Sequence, residues 1–98
     1  MKTGFEYRKS KRFNHKVTVM LEDESGGFFS YGLMLNYSSG GMLVGSETTY
    51  NKGTPIKIRF GKPLYKAAPT IYSGTVKWCK YVARDDSEYS YGVGIGYD

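Results

Sequence analysis

The sequence predicts an all-β fold, six short antiparallel strands closed into a barrel or packed as a compact sandwich, with little helix. Three observations predict it. Apolar and polar residues alternate with a period of two along most of the chain, the mark of half-buried strands. Ten Tyr and five Phe among 98 residues supply side chains that favour strands. The Gly, Ser, Asn and Asp residues gather between the alternating runs, where tight turns need them.

The first run is HKVTVMLE, in which Val17, Val19 and Leu21 share one face, and Lys16, Thr18, Met20 and Glu22 share the other. In SYGLMLNYS, Tyr31, Leu33, Leu35 and Tyr37 alternate with Gly32, Met34, Asn36 and Ser38. GMLVG is a short third strand. PIKIRF alternates Ile56, Ile58 and Phe60 with Lys57 and Arg59. TIYSGTVKWCKYVAR is a longer fifth strand, and EYSYGVGIGY is the sixth. Turns are expected at ESGG (24–27), SSGG (38–41), NKG (51–53) and RDDS (84–87). GKPLYKAAP has room for one helical turn but contains two prolines. The sixth strand places Gly92, Gly94 and Gly96 on one face, which leaves room for another backbone, a bulky neighbour or a sharp bend.

Ninety-eight residues make one domain, large enough to bury a modest core without disulfides or metal. The single Cys79 forms no internal disulfide, and one Cys with one His15 makes no metal cluster. No segment approaches a membrane span, and MKTGFEYRKSKRF lacks the apolar core of a signal peptide, so the expected location is cytoplasmic. The net charge is +5. Lys2, Arg8, Lys9, Lys11, Arg12 and Lys16 face only Glu6 within the first sixteen residues, and the rest of the chain is balanced. The whole excess therefore sits in the first sixteen residues, where a flexible basic N-terminal segment, residues 1–14, is expected to lead into a β-body, residues 15–98. Such a segment is either a solvated tail or a contact for an anionic partner.

Two stretches carry chemistry. The first is RKSKR, residues 8–12. The chain has ten Lys and only four Arg, yet two of the four stand here as Arg8 and Arg12. Guanidinium is planar, permanently charged and bidentate toward oxyanions, so paired arginines suit a flat, anionic partner. The second is NYSSGG, residues 36–41. Asn36 and Ser38 lie two apart on a strand and are expected to point away from the Leu33 and Leu35 face, offering an amide and a hydroxyl. Gly40 and Gly41 permit φ > 0 and leave the surface open. Trp78 in GTVKWCKYV is read on a strand face with Val76 and Lys80, as core or as a ligand contact.

Together, RxxxR before the first strand and [DN]xSxxG after the second resemble the signature of PilZ domains, the bacterial receptors for cyclic di-GMP. VTVMLE, GMLV, GTVKW and YGVGIGY sit where those domains have similar strands, so the resemblance spans nearly the whole chain. It implies a six-stranded antiparallel β-barrel and a free-standing member of the family. It implies that Arg8 and Arg12 pair with phosphate and with the O6/N7 edge of guanine, a contact that contributes about 1–3 kcal/mol of base discrimination. It implies that Asn36 and Ser38 read the other guanine edge or the nearby phosphate, that Gly41 keeps the turn tight, and that Trp78 lies near the ligand. Lys9 is a further candidate, and Lys9 and Lys11 bear on whether a second nucleotide binds beside Tyr7. Two departures stand out. Asn36 occupies a position that is Asp in many members, and an amide cannot present the double acceptor face that a carboxylate offers guanine. The given sequence ends at Asp98, so the C-terminal helix of many members is not expected here.

The resulting expectation is a receptor or adaptor that binds cyclic di-GMP, changes conformation and regulates an unidentified effector protein, in motility, chemotaxis, exopolysaccharide synthesis or biofilm formation. No metal and no resident cofactor are expected. The alternatives are a small barrel for single-stranded nucleic acid and a PilZ domain working by protein contacts alone. Nucleic acid is disfavoured because no basic strand face is interleaved with stacking aromatics. An enzyme is disfavoured because the chain lacks a paired-carboxylate constellation, a triad around its one His, and a Gly-rich phosphate loop of the GxxxxGKS type.

Overall fold

Six strands form in the order expected: β1 (Phe13–Asp23), β2 (Phe28–Tyr37), β3 (Gly41–Ser46), β4 (Pro55–Phe60), β5 (Ile71–Tyr81) and β6 (Tyr91–Tyr97). The structure is a computed structural model that describes residues 13–82 and 88–98, with side chains from Lys16 onward. Arg8, Lys9, Arg12, the side chain of His15 and the RDDS turn lie outside the described residues. The described residues contain no helix, and GKPLYKAAP forms bends and a turn.

Every neighbouring pair of strands is antiparallel, and the order β1-β2-β3-β6-β5-β4 closes on itself through β1 and β4. The sequence left a choice between barrel and sandwich, and closure to a barrel decides it. Closure gives every strand a neighbour on both sides. The alternation seen in the sequence becomes the inside and outside of this barrel. Val19, Leu21, Met34, Met42, Val44, Ile56, Ile58, Val76 and Val93 are all fully buried. Each such side chain contributes about 1.5–3 kcal/mol relative to an exposed one. Tyr50, from the loop between β3 and β4, joins this core and keeps its hydroxyl 2.6 Å from Ser30 Oγ. Burial pushes the Tyr50 phenol above its ordinary pKa.

The three expected turns that lie within the described residues form, each by its own device. Asp23 Oδ1 accepts from Ser25 N–H at 2.9 Å and from Ser25 Oγ at 2.6 Å, and Gly27 takes φ 73°. Gly53 in NKG takes φ 92° and donates its N–H to the Val76 carbonyl at 2.8 Å. The SSGG turn behaves differently. Neither Gly40 nor Gly41 adopts positive φ, against the sequence reading. Gly41 is needed for close approach instead: it pairs with Gly96, and a Cβ at position 41 would overlap the Ile95 carbonyl.

Three register shifts interrupt the ladders, between Asn14 and Val17 on β1, Met34 and Asn36 on β2, and Val76 and Trp78 on β5. A β-bulge adds one residue to one strand and reverses the facing of the residues beyond it. The shifts on β2 and β5 set the placement of the candidate site.

Candidate nucleotide-binding cleft

The β2 bulge sets the direction of Asn36. Met34 pairs with Val44, and Asn36 pairs with Leu43, so β2 advances two residues while β3 advances one. Met34 points into the core with no exposed surface. In an unbroken strand Asn36 would point inward beside it. The inserted residue turns Asn36 outward and Tyr37 inward, where Tyr37 packs on the core. The outward position of Asn36 agrees with expectation, but the face does not. Asn36 shares the outer surface with Leu33 instead of pointing away from it, and Met34, which strict alternation grouped with Asn36, is core.

Ser38 follows β2 and is 94% buried, with 6% of its surface exposed. Its N–H donates to the Gly41 carbonyl at 2.8 Å, and its Oγ accepts from the Gly40 N–H at 3.2 Å. The Tyr97 N–H donates to the Gly40 carbonyl at 3.1 Å, which ties the turn to β6. Because Ser38 Oγ serves as an acceptor within the turn, its own O–H remains available as a donor to a ligand.

The β5 bulge does the same for Trp78. Val76 pairs with Ile95 and is buried, whereas Trp78 pairs with Gly94 and is 41% exposed. Trp78 therefore does not share a face with Val76, as strict alternation would have it. Its partner on the outer face is Lys80, whose ammonium lies 5.9 Å from the indole centroid. The indole lies directly over Gly94, where any Cβ would overlap its Nε1 edge. The glycine face of β6 thus has an occupant: it is the bed on which Trp78 lies. Cys79 turns inward against the core as a half-buried free thiol.

These placements bring four of the candidates together. Asn36, Ser38, Gly41 and Trp78 line one open cleft of about 490 Å3, with Gly40, Leu43, Lys77, Gly94 and Gly96 on its floor and rim. Its glycines expose backbone, and its walls offer an amide, a hydroxyl and the broad face of an indole. Among the described residues that line it, Lys77 alone carries a charge. Sequence reasoning missed Lys77. The available signal was its place beside Trp78 opposite the glycine face of β6, but alternation puts the two on opposite surfaces unless the bulge is known. A second cleft, of about 620 Å3, adjoins the first at Ser38 and is lined by Tyr37, Tyr65, Tyr72 and Tyr97. Tyr72 stacks on Tyr97 at 5.4 Å, and burial raises the pKa of its phenol.

Phe13 at the start of β1 pairs with Tyr37, the residue before Ser38. The basic segment is thus covalently joined to the described chain at the cleft end of β2. Among the described residues no group of three or more His, Cys, Asp or Glu could hold a metal ion. No described helix is long and apolar enough to cross a membrane.

A search of curated proteins finds no match to the chain. The sequence profile of the PilZ domain, a binding and adaptor domain of the cyclic di-GMP receptor family, matches residues 6–96. That match spans residues 8–12, residues 36–41 and the six strands up to Gly96, and with the six-stranded antiparallel barrel it shows that the chain belongs to the PilZ domain family.

Proposed function

We propose that this protein is a cyclic di-GMP receptor that holds the dinucleotide in the β2–β3–β6–β5 cleft. In this reading Arg8 and Arg12 take phosphate and the O6/N7 edge of guanine, with Lys9 beside them. Asn36 and the Ser38 hydroxyl meet the remaining guanine edge or a phosphate oxygen. Gly41 leaves the floor open, and Trp78 stacks on a base.

The observation that carries the reading is the convergence of Asn36, Ser38, Gly41 and Trp78 on one cleft through two separate bulges, next to the strand end where the RxxxR segment joins the barrel. Arg12 is one peptide bond from Phe13, and Arg8 is within about 17 Å of it even in a fully extended chain. Ordering a basic segment over the ligand costs conformational entropy, and charge-assisted hydrogen bonds to phosphate offset that cost. Closing the segment ahead of Phe13, where β1 begins, onto the barrel changes the surface that an effector protein reads, which makes the domain an adaptor.

Calorimetric titration with cyclic di-GMP tests this. Saturable heat and a raised melting temperature are expected, and the titration also gives the number of nucleotides bound per protomer. No heat and no melting shift at tens of micromolar nucleotide would reject the reading. Salt-dependent binding of single-stranded oligonucleotides, without preference for the cyclic dinucleotide, would replace it with the nucleic-acid alternative.

A further inference from the structure

We propose that Lys77 is a phosphate-binding residue of the cleft, holding a phosphodiester of the nucleotide from the wall opposite the NYSSGG turn. The proposal rests on the receptor reading above and adds a cation that neither motif contains.

The β5 register singles out this residue. Val76 pairs with Ile95 and Trp78 with Gly94, so Lys77 is the inserted residue of the bulge. Neighbours on a regular strand point to opposite faces. Here Lys77 and Trp78 both line the outer cleft. Their side chains cross β6 side by side, Trp78 over Gly94 and Lys77 over Gly96. A Cβ at Gly96 would stand 2.6 Å from Lys77 Cε, 3.4 Å from Cγ and 3.6 Å from Cδ, so the whole aliphatic stem lies along that glycine. Gly96 pairs in turn with Gly41, so the stem spans from β5 toward the turn that carries Ser38.

The charge at the end of that stem has no protein partner among the described residues. Their ion pairs are Lys57 with Glu24 and Arg59 with Glu22, and no carboxylate is among the described residues that line the cleft. Asn36 contributes to this: an Asp there would set a negative charge in the same cleft. A cation held by its stem over a glycine loses less side-chain entropy on binding than a free one. An ammonium presents three donors around a point charge, which suits a phosphate oxygen better than a base edge. The bulge therefore places two complementary contacts on one wall, a flat ring for a base and a cation for the phosphodiester beside it.

Lys77→Met keeps the stem over Gly96 and removes only the charge. By calorimetry it is expected to bind cyclic di-GMP about tenfold more weakly than wild type, as for the loss of one charged hydrogen bond. The weakening of binding by added salt should also be smaller than in wild type, because one screened charge pair is gone. Lys77→Arg should retain most of the affinity. An unchanged Trp78 indole N–H signal in nucleotide-free Lys77→Met would show that the cleft is intact, so that weaker binding reports the charge. Wild-type binding with unaltered affinity and salt slope in Lys77→Met overturns the role of Lys77 and leaves the receptor reading standing. Absence of binding by the wild type overturns both.

Discussion

The seam between β1 and β4 and the cleft at the end of β2 are built from the same antiparallel ladder but obey different rules. Along the seam, five consecutive pairs run from Val19–Phe60 to Asp23–Ile56 without a shift. Val19, Leu21, Ile58 and Phe60 fill the interior, and outside Glu22 pairs with Arg59 at 3.2 Å and Glu24 with Lys57 at 3.4 Å. Alternation predicts the facing of Val19–Glu22 and Ile56–Phe60 there. Around the cleft, by contrast, ladders on β1, β2 and β5 each gain a residue, and glycines stand where side chains would otherwise be. Stability asks only that each residue face consistently in or out. A binding surface needs specific side chains outside at positions that strict alternation would turn inward, and the bulges supply them.

The contrast can be broken most forcefully at Gly41. Gly41→Val drives a side chain into the Ile95 carbonyl and should cost about 2–4 kcal/mol of stability, in the range for overpacking against backbone. Its matched control is Gly61→Ala, where a Cβ meets nothing within 4 Å and the change should stay within about 0.5 kcal/mol. Chemical denaturation of both variants checks this, and equal midpoints would refute the close-approach role of Gly41. Next in size, Arg8→Ala or Arg12→Ala should weaken cyclic di-GMP binding at least about tenfold while leaving the denaturation midpoint of the free protein unchanged. A wild-type titration would reject the role of that arginine.

On the regular side the effects are smaller. Arg59→Met removes a half-exposed ion pair with Glu22, and denaturation should register only about 0.2–1 kcal/mol. Nucleotide affinity should not change, because the seam takes no part in the cleft. Smallest is Asp23. The Ser25 hydroxyl, followed by the backbone N–H groups of Ser25 and Gly26, holds its carboxyl below the ordinary value. A depressed folded pKa means that its contribution is present above the unfolded pKa and is lost as pH falls through the folded one. Asp23→Asn should therefore flatten the acid limb of a melting-temperature profile slightly and leave the neutral region almost flat. An unaltered acid limb would remove that assignment.

The seam and most of the core were legible in the sequence because period two is a direct image of a regular strand. The inward set Val17, Val19, Leu21 and Ile56, Ile58, Phe60 came from alternation alone. The cleft was legible only in part. RxxxR and NxSxxG pointed to Asn36, Ser38 and Gly41 through family resemblance, yet the grouping of Met34 with Asn36 and of Val76 with Trp78 failed. An inserted residue leaves no trace in composition: Leu35 and Lys77 look like any other strand residues. The φ > 0 reading of Gly41 failed: its φ is not positive, and the neighbouring β6 backbone excludes a side chain there. The glycines of β6 announced space without naming its occupants, Trp78 and Lys77.

The chain has a single tryptophan, so its indole N–H gives one side-chain signal in a 15N-correlated NMR spectrum, reporting from the middle of the cleft. Titrating the protein with cyclic di-GMP and following that signal tests the central claim most directly. The account predicts a saturable displacement of the Trp78 indole N–H in the wild type, absent at the same nucleotide concentrations in a variant carrying both Arg8→Ala and Arg12→Ala. A Trp78 signal that stays in place while calorimetry shows the nucleotide bound would contradict it, because the ligand would then lie elsewhere on the barrel.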